Sequence, residues 1–124
     1  MSEIYLELTV MNIKDPERQK QVSFLVDTGS TRAWVSKEIA DAVGIEPVGT
    51  VPLELADDSI AEHSYGLCIF AYDGEIVAGN VVIGPPGCEP LAGIHILQDF
   101  RLTIDMEHHR ITRGRAMRAK WDGS

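Results

Sequence analysis

One short segment restricts the possible folds and chemistries of this chain more than any other. Phe24-Leu25-Val26-Asp27-Thr28-Gly29-Ser30 places an acid directly after three apolar residues suited to a buried strand. Burying a lone carboxylate beside such a strand costs several kcal/mol unless hydrogen bonds or a shared proton compensate. Gly29 allows a sharp turn and a close approach of another chain, while Thr28 and Ser30 supply hydroxyl groups on either side of it. Asp27 is therefore a candidate for acid–base chemistry.

The chain has the composition of one soluble globular domain. Its 124 residues are 44% hydrophobic and 24% charged, which is enough apolar material for a core of its own. Its apolar runs are all shorter than the roughly 18–20 residues of a membrane span. Residues 1–5 lack the basic start and apolar stretch of a signal peptide. We therefore expect a cytoplasmic protein with no membrane partner.

The charge pattern argues against nucleic-acid binding. The formal net charge is −8 at pH 7, whereas nucleic-acid-binding surfaces are basic. Residues 113–124 are the exception, because this basic C-terminal tail holds four of the eleven Lys and Arg residues. We interpret the tail as exposed and partly disordered; contact with nucleic acid or an acidic partner is the alternative. The folded domain is expected to span residues 1–112.

The cysteines and histidines form no recognisable metal or redox motif. Nothing around Cys68 or Cys88 suggests a metal knuckle or redox pair, so reduced thiols are expected, with a disulfide as the alternative. The four histidines are at positions 63, 95, 108 and 109. His108 and His109 are adjacent and would point to opposite faces of a strand, and the four are not spaced as ligands. No metal site is predicted.

The hydrophobic pattern predicts a mainly β domain with one short helix. Strands are expected where apolar residues alternate or form short runs, at residues 3–13, 21–26, 33–35, 51–55, 60–65, 67–72, 75–83, 101–106 and 111–112. Ser36 is a suitable N-cap and Gly44 a suitable stop, which predicts a helix over about 37–43. Residues 91–97 are expected to begin as a strand and to finish as a helical turn. A bulge is expected at Gly79-Asn80.

The acid segment and its surroundings resemble the active-site loop of the aspartic proteases. The resemblance rests on Asp27-Thr28-Gly29-Ser30, the apolar lead-in Phe24-Leu25-Val26, the following Trp34-Val35-Ser36, and an apolar-Gly segment about sixty residues later, Leu91-Ala92-Gly93. The length and the single loop point to the retroviral-type, or retropepsin-like, branch, whose order of elements the chain follows over roughly residues 4–112. The resemblance implies a retropepsin-like acid-protease β-barrel with one short helix, closed by homodimerisation.

The resemblance also implies roles for individual residues. Asp27 would be the catalytic acid, and Thr28 would form a hydrogen bond across to the partner loop. Gly29 would bind the substrate backbone, while Ser30 would orient the outer carboxylate oxygen of Asp27. Leu91-Ala92-Gly93 would pack under this loop. No cofactor is implied.

A hairpin near residues 53–64 occupies the position of the substrate-covering flap. The candidate substrate-binding residues at its tip are Ala56, Asp57, Asp58, Ser59 and Ile60. Where the family often has glycine or Asn-Gly, this tip reads Asp57-Asp58-Ser59. We hypothesise that these acids favour basic peptides over acidic ones, which would appear as a charge preference near the scissile bond.

The implied reaction is hydrolysis of peptide bonds, and it needs two carboxylates. Two acids about 3 Å apart cannot both ionise, so they share one proton. The sequence contains no second Asp-Thr-Gly or Asp-Ser-Gly, so the second carboxylate must come from another copy of Asp27. A symmetric homodimer acting on a peptide or protein substrate follows. The alternatives are a non-catalytic dimerisation or peptide-binding domain with this fold, and Asp27 as a structural turn residue.

Two further departures from the family affect the support of the loop. His95 stands where an acid or amide is common, and that position usually supports the loop and the dimer interface. Ala92 is smaller than the branched residue usual at its position. We expect both departures to affect the interface and the packing beneath the loop more than the catalytic step.

Overall fold

The computed structural model describes residues 3–55 and 57–114 of the chain. Its strands are β1 (Tyr5–Met11), β2 (Gln19–Val26), β3 (Ala33–Val35), β4 (Pro47–Glu54), β5 (Ile60–Tyr72), β6 (Glu75–Ile83), β7 (Leu91–Ala92), β8 (Leu102–Asp105) and β9 (Arg110–Arg113). Its helices are α1 (Lys37–Val43) and α2 (Ile94–Asp99). The mainly β class predicted from the hydrophobic pattern is confirmed. Neither helix is long and apolar enough to cross a membrane.

Seven strands form one sheet that curls back on itself. Their order is β1-β2-β7-β3-β6-β5-β4, and β1 also pairs with β5. Most pairs are antiparallel, but β2–β7 and β3–β6 are parallel. β8 and β9 form a separate hairpin. The short strand β7 therefore lies between β2 and β3, which are the strands that precede and follow the Asp27 segment in the chain.

The core lies inside the curled sheet. Along β1, Leu6, Leu8 and Val10 are buried while the residues between them face outward, as the alternation predicts. Phe24 on β2 meets Phe70 on β5 edge to face, with ring centroids 6.2 Å apart. Each such buried side chain contributes about 1.5–3 kcal/mol through the hydrophobic effect. The end of β2, and with it Asp27, is thereby held against the core.

The two cysteines are free, as the sequence predicts. Cys68 is buried on β5, and burial raises the pKa of its thiol to about 12. Cys88 is half-buried, and desolvation together with the charge of Glu38 raises its pKa. Both thiols are therefore protonated and unreactive at neutral pH.

Helix α1 begins and ends where its capping residues predict. The Ser36 hydroxyl oxygen accepts a hydrogen bond from the backbone N–H of Ile39 at 3.3 Å. Gly44 follows the helix with φ of 82°, and its N–H donates to the Ala40 carbonyl at 2.8 Å. This left-handed conformation favours glycine. The helix packs its buried residues Ala40 and Val43 against the sheet.

Three details differ from the sequence expectations. The helical turn expected after β7 is a second helix, so the prediction of a single helix is wrong. β5 is one continuous strand of 13 residues, where two shorter strands were expected. The register shift lies between Pro47 and Gly49 rather than at Gly79-Asn80, whose pairing with Cys68 and Leu67 is regular.

Arg113, grouped with the tail in the sequence analysis, is the last residue of β9. It belongs to an ion-pair network that joins the β8–β9 hairpin to the β5–β6 turn. Arg101 donates to both carboxylate oxygens of Glu75, one of them at 3.0 Å. Arg113 Nη2 lies 2.6 Å from Glu75 Oε2 without hydrogen-bond geometry, and its Nη1 donates to Asp73 at 3.0 Å. The remainder of the predicted tail, residues 115–124, lies outside the described residues.

We expect Glu75→Gln to lower the melting temperature at about pH 7, and we expect this difference to shrink as the pH falls through the acidic range in which Glu75 becomes protonated. The hydrogen bonds from Arg101, and then the charges of Arg101 and Arg113, lower the pKa of Glu75. A lowered pKa gives stability that is present above the ordinary carboxyl pKa of about 4.3 and is lost as the pH falls. Thermal denaturation of both proteins across this range measures the difference. Glu107→Gln, at an exposed site on the β8–β9 turn, is the control; an equal effect from both substitutions would contradict the role of the network.

Candidate active site

Asp27 lies directly after β2, at the start of a closed turn. Its backbone N–H donates to the Ala92 carbonyl at 3.0 Å, which fixes the turn to β7. Its carbonyl accepts from the Ser30 N–H at 3.0 Å, and its side-chain Oδ1 accepts from the Gly29 N–H at 3.0 Å. Asp27 is half-buried, whereas Thr28 and Gly29 are exposed. The carboxylate thus accepts one hydrogen bond from the Gly29 N–H and remains accessible.

The Leu91-Ala92-Gly93 segment lies directly beneath this loop. Leu91 pairs with Leu25 on one side and with Trp34 on the other. Ala92 is fully buried, so its small side chain fits the space between these strands. The backbone of Gly93 touches the loop so closely that a Cβ atom there would lie 2.5 Å from the carbonyl oxygen of Ser30. The first turn of α2 then donates to the loop, through Ile94 N–H to Ser30 and His95 N–H to Thr31.

The contacts of the Ser30 side chain differ from the role implied by the resemblance. The Ser30 hydroxyl donates to the Arg32 carbonyl at 2.8 Å, so its one proton is not directed at Asp27. In this chain the Gly29 N–H, rather than Ser30, orients the carboxylate. Thr28 makes no side-chain hydrogen bond within residues 3–55 and 57–114. His95 is exposed and supports the loop through its backbone alone.

Asp27 lies where two surface depressions meet. The first, the apolar groove, has a volume of about 610 Å³ and is lined by Glu3, Ile4, Leu25, Val26, Asp27, Thr28, Ile104 and Met106. The second, the loop cleft, has a volume of about 690 Å³ and is lined by Asp27, Gly29, Ser30, Thr31, Arg32, Trp34, residues 51–54 and Leu91. A ligand in the loop cleft and a protein surface in the apolar groove would both reach Asp27.

The β4–β5 hairpin forms one wall of the loop cleft, and its tip is acidic. Asp57 Oδ1 accepts hydrogen bonds from the Ser59 N–H, at 3.0 Å, and from the Ser59 hydroxyl. These bonds lower the pKa of Asp57. Asp58 has a left-handed φ of 68°, and Ile60 is 73% exposed. Ala56, another predicted tip residue, lies outside the described residues.

Two cleft residues were missed by the sequence analysis. Trp34 was considered as part of the segment that follows the Asp27 loop, but it lines the loop cleft, and the centroid of its ring lies 5.0 Å from that of His63. Arg32 was not singled out. The only signal that could have found them is their position, five and seven residues after Asp27 in the same segment.

No family model and no curated protein matches this sequence. Solved structures do match. The EIAV protease, solved with the inhibitor HBY-793, is 12% identical with a TM-score of 0.60, over 79% of this chain and 88% of its own. The retroviral protease-like domain of Ddi1 from Leishmania major is 15% identical with a TM-score of 0.59, over 94% and 91%.

A third similar structure is a retropepsin-like aspartic protease from Rickettsia conorii. It is 18% identical with a TM-score of 0.60, over 83% of this chain and 76% of its own. At these identities the similarity shows the fold. The chain has the retropepsin-like fold that its acid loop predicts.

Proposed function

We propose that this protein is an aspartic endopeptidase whose catalytic pair is Asp27 and the same residue of a second copy. The observation that supports the proposal is the position of Asp27 at the junction of the apolar groove and the loop cleft. A catalytic acid of this type needs a second carboxylate on one side and a peptide on the other. The retropepsin-like fold of the chain supports the same arrangement.

The second copy would occupy the apolar groove. Met106 is 58% exposed there, and Ile104 and Val26 are half-buried beside it. Covering these side chains would remove apolar surface from water, at about 25 cal/mol per Å². Thr28 borders the groove with a hydroxyl that lacks a partner within the described residues. A two-fold axis beside Asp27 would bring the two carboxylates and the two threonines together.

The peptide would lie in the loop cleft, covered by the β4–β5 hairpin acting as a flap. The cleft wall offers Trp34, Leu53 and Leu91 to apolar side chains. An extended peptide can also form strand-like hydrogen bonds with the backbone of the flap and of Gly29. The exposed acids at the tip, Asp57 and Asp58, carry the predicted preference for basic residues near the scissile bond.

In the proposed reaction the two carboxylates share one proton. The ionised carboxylate takes a proton from a water molecule, which attacks the peptide carbonyl carbon. The protonated carboxylate donates its proton to the forming oxyanion. The first carboxylate, which now carries the proton from water, then donates that proton to the leaving nitrogen. As the carbonyl re-forms, the second carboxylate takes back a hydroxyl proton, so the pair again holds one proton. The hydrogen bond from the Gly29 N–H keeps Asp27 oriented during both transfers. All the reacting groups are then side chains, water and substrate.

The proposal is tested by measuring mass, inhibitor binding and hydrolysis on the same preparation. We expect a dimer in analytical ultracentrifugation, saturable binding of a hydroxyl-bearing transition-state mimic such as pepstatin, and hydrolysis that is bell-shaped in pH with an acidic to near-neutral optimum. A bell shape is expected because the pair must hold one proton. Activity that keeps rising into alkaline pH would contradict the mechanism. Peptide binding by a dimer without any hydrolysis would instead favour the non-catalytic binding domain.

A further inference from the structure

Arg32 is a fixed, half-buried cation that has no carboxylate partner within the described residues. Its Nη1 donates to the side-chain oxygen of Asn80 at 2.8 Å. Its own carbonyl accepts from the Ser30 hydroxyl at 2.8 Å, which fixes the backbone of the loop at this point. Across residues 3–55 and 57–114, no Asp or Glu oxygen lies within 4.0 Å of the guanidinium. One neutral amide is its only side-chain hydrogen-bond partner there.

The other arginines of the described chain have their donors engaged in a different way. Arg101, Arg110 and Arg113 each pair with a carboxylate, and Arg18 donates to two backbone carbonyls at the end of α1. A guanidinium has five N–H donors in a planar fork that fits a carboxylate. Arg32 therefore retains donors suited to a carboxylate, at a place where the surrounding chain supplies none.

Arg32 also lies between two depressions of the surface. It lines the loop cleft together with Asp27, and it lines a neighbouring cavity of about 200 Å³ together with Asn80, His95 and Asp99. Among the described residues, Arg32 is the one that lines both spaces. Two acids border these spaces, Glu54 on the flap strand and Asp99 on α2, and both lie beyond ion-pair distance of Arg32.

We propose that Arg32 is a specificity-determining residue that selects an acidic side chain of the bound peptide. The inference rests on the proposed function in one respect, namely that the loop cleft holds a peptide. The acidic side chain would lie away from the scissile bond, beside Arg32, whereas the flap acids act on residues next to that bond. The net charge of −8 repels acidic peptides as a whole. A preference for Glu at one position therefore requires a local cation.

Binding measurements on the non-hydrolysing Asp27→Asn protein test the inference without relying on catalysis. The probes are fluorescein-labelled peptides with a central Phe-Leu pair, in which one Glu, Gln or Lys is moved through each flanking position. We expect one flanking position, or a symmetric pair, at which Glu binds about tenfold more tightly than Gln. Arg32→Gln in the same background should bring this ratio close to one. Arg32→Glu should reverse the preference toward Lys.

Lys20→Gln is the matched control, because it removes one exposed positive charge from β2 at a site that does not line the loop cleft. It should leave the ratio of Glu to Gln binding unchanged. The inference is overturned if no position prefers Glu, or if the preference survives Arg32→Gln. A lower melting temperature with unchanged selectivity would assign Arg32 a structural role through Asn80 instead. Glu-selective binding without hydrolysis by the unmodified protein would refute the peptidase and leave the selectivity standing.

Discussion

Replacement of Asp27 by Asn should reduce peptide hydrolysis by about 10²–10⁴-fold while leaving the proposed dimer intact. An amide is nearly the same size as a carboxyl group, and its oxygen can still accept the hydrogen bond from the Gly29 N–H at 3.0 Å. It cannot take a proton from water or donate an acidic proton to the substrate, so the reaction loses its acid and its base. Hydrolysis of a fluorogenic peptide and sedimentation of the same samples measure the two expectations.

The control is Asp41→Asn, which makes the same chemical change on the surface of α1. Asp41 forms an exposed ion pair with Lys37 at 3.1 Å, and such pairs contribute at most about 1 kcal/mol. Activity and dimer mass should both be unchanged in this variant. Retained turnover in purified Asp27→Asn would refute the assignment of the catalytic acid. Loss of the dimer in that variant would show that Asp27 acts on assembly instead.

Mixing the unmodified protein with Asp27→Asn tests whether the proposed active centre is shared between two copies. If subunits exchange freely, an equal mixture contains about a quarter unmodified dimers, and only these hold two carboxylates. Before exchange, half of the dimers in the mixture are unmodified. The activity of the mixture should therefore fall to about half of its initial value as the subunits exchange. A centre contained in one chain would lose no activity on mixing.

The features that the sequence predicts well depend on residues close together in the chain. Ser36 and Gly44 define α1 because capping involves residues within one turn of the helix. The alternation along β1 identifies its buried face for the same reason. The acid loop is also local, since Asp27, Gly29 and Ser30 form hydrogen bonds with one another. Its resemblance to a known loop could therefore be recognised without knowledge of the fold.

The features that the sequence did not predict depend on contacts between distant residues. Arg32 contacts Asn80, 48 positions away, so no local pattern marks it as part of the cleft. The Ser30 hydroxyl donates to the nearby Arg32 carbonyl, but the loop that makes this bond is itself held by hydrogen bonds from the N–H groups of Ile94 and His95, 64 positions further along the chain. The continuity of β5 depends on its pairing with β4 and β6 rather than on its own residues. Tertiary contacts decided each of these outcomes.

The second large effect, on stability, is expected at the contact between Gly93 and residues 30–32 of the loop that begins at Asp27. Gly93 has an ordinary extended backbone, with φ of −90° and ψ of −170°, so alanine is compatible with its conformation. The added Cβ atom would, however, lie 2.5 Å from the Ser30 carbonyl oxygen and 2.7 Å from that of Arg32. These are backbone atoms, which cannot rotate away as a flexible side chain can. We expect Gly93→Ala to lower the free energy of unfolding by about 2–3 kcal/mol, measured by urea denaturation.

Gly79→Ala is the matched control, because its Cβ atom would meet only the ring of Phe70, at 3.5 Å and beyond. That is an ordinary van der Waals distance, and we expect a change within about 0.5 kcal/mol. Because the displaced atoms belong to the loop that holds Asp27, Gly93→Ala should also reduce activity by more than its unfolded fraction explains. An equal free energy of unfolding for Gly93→Ala and Gly79→Ala would show that the loop can move away from residue 93 at little cost in free energy. The backbone that positions the carboxylate would then be more easily deformed than its hydrogen bonds imply, and in the proposed dimer the second copy would have to help orient the carboxylate.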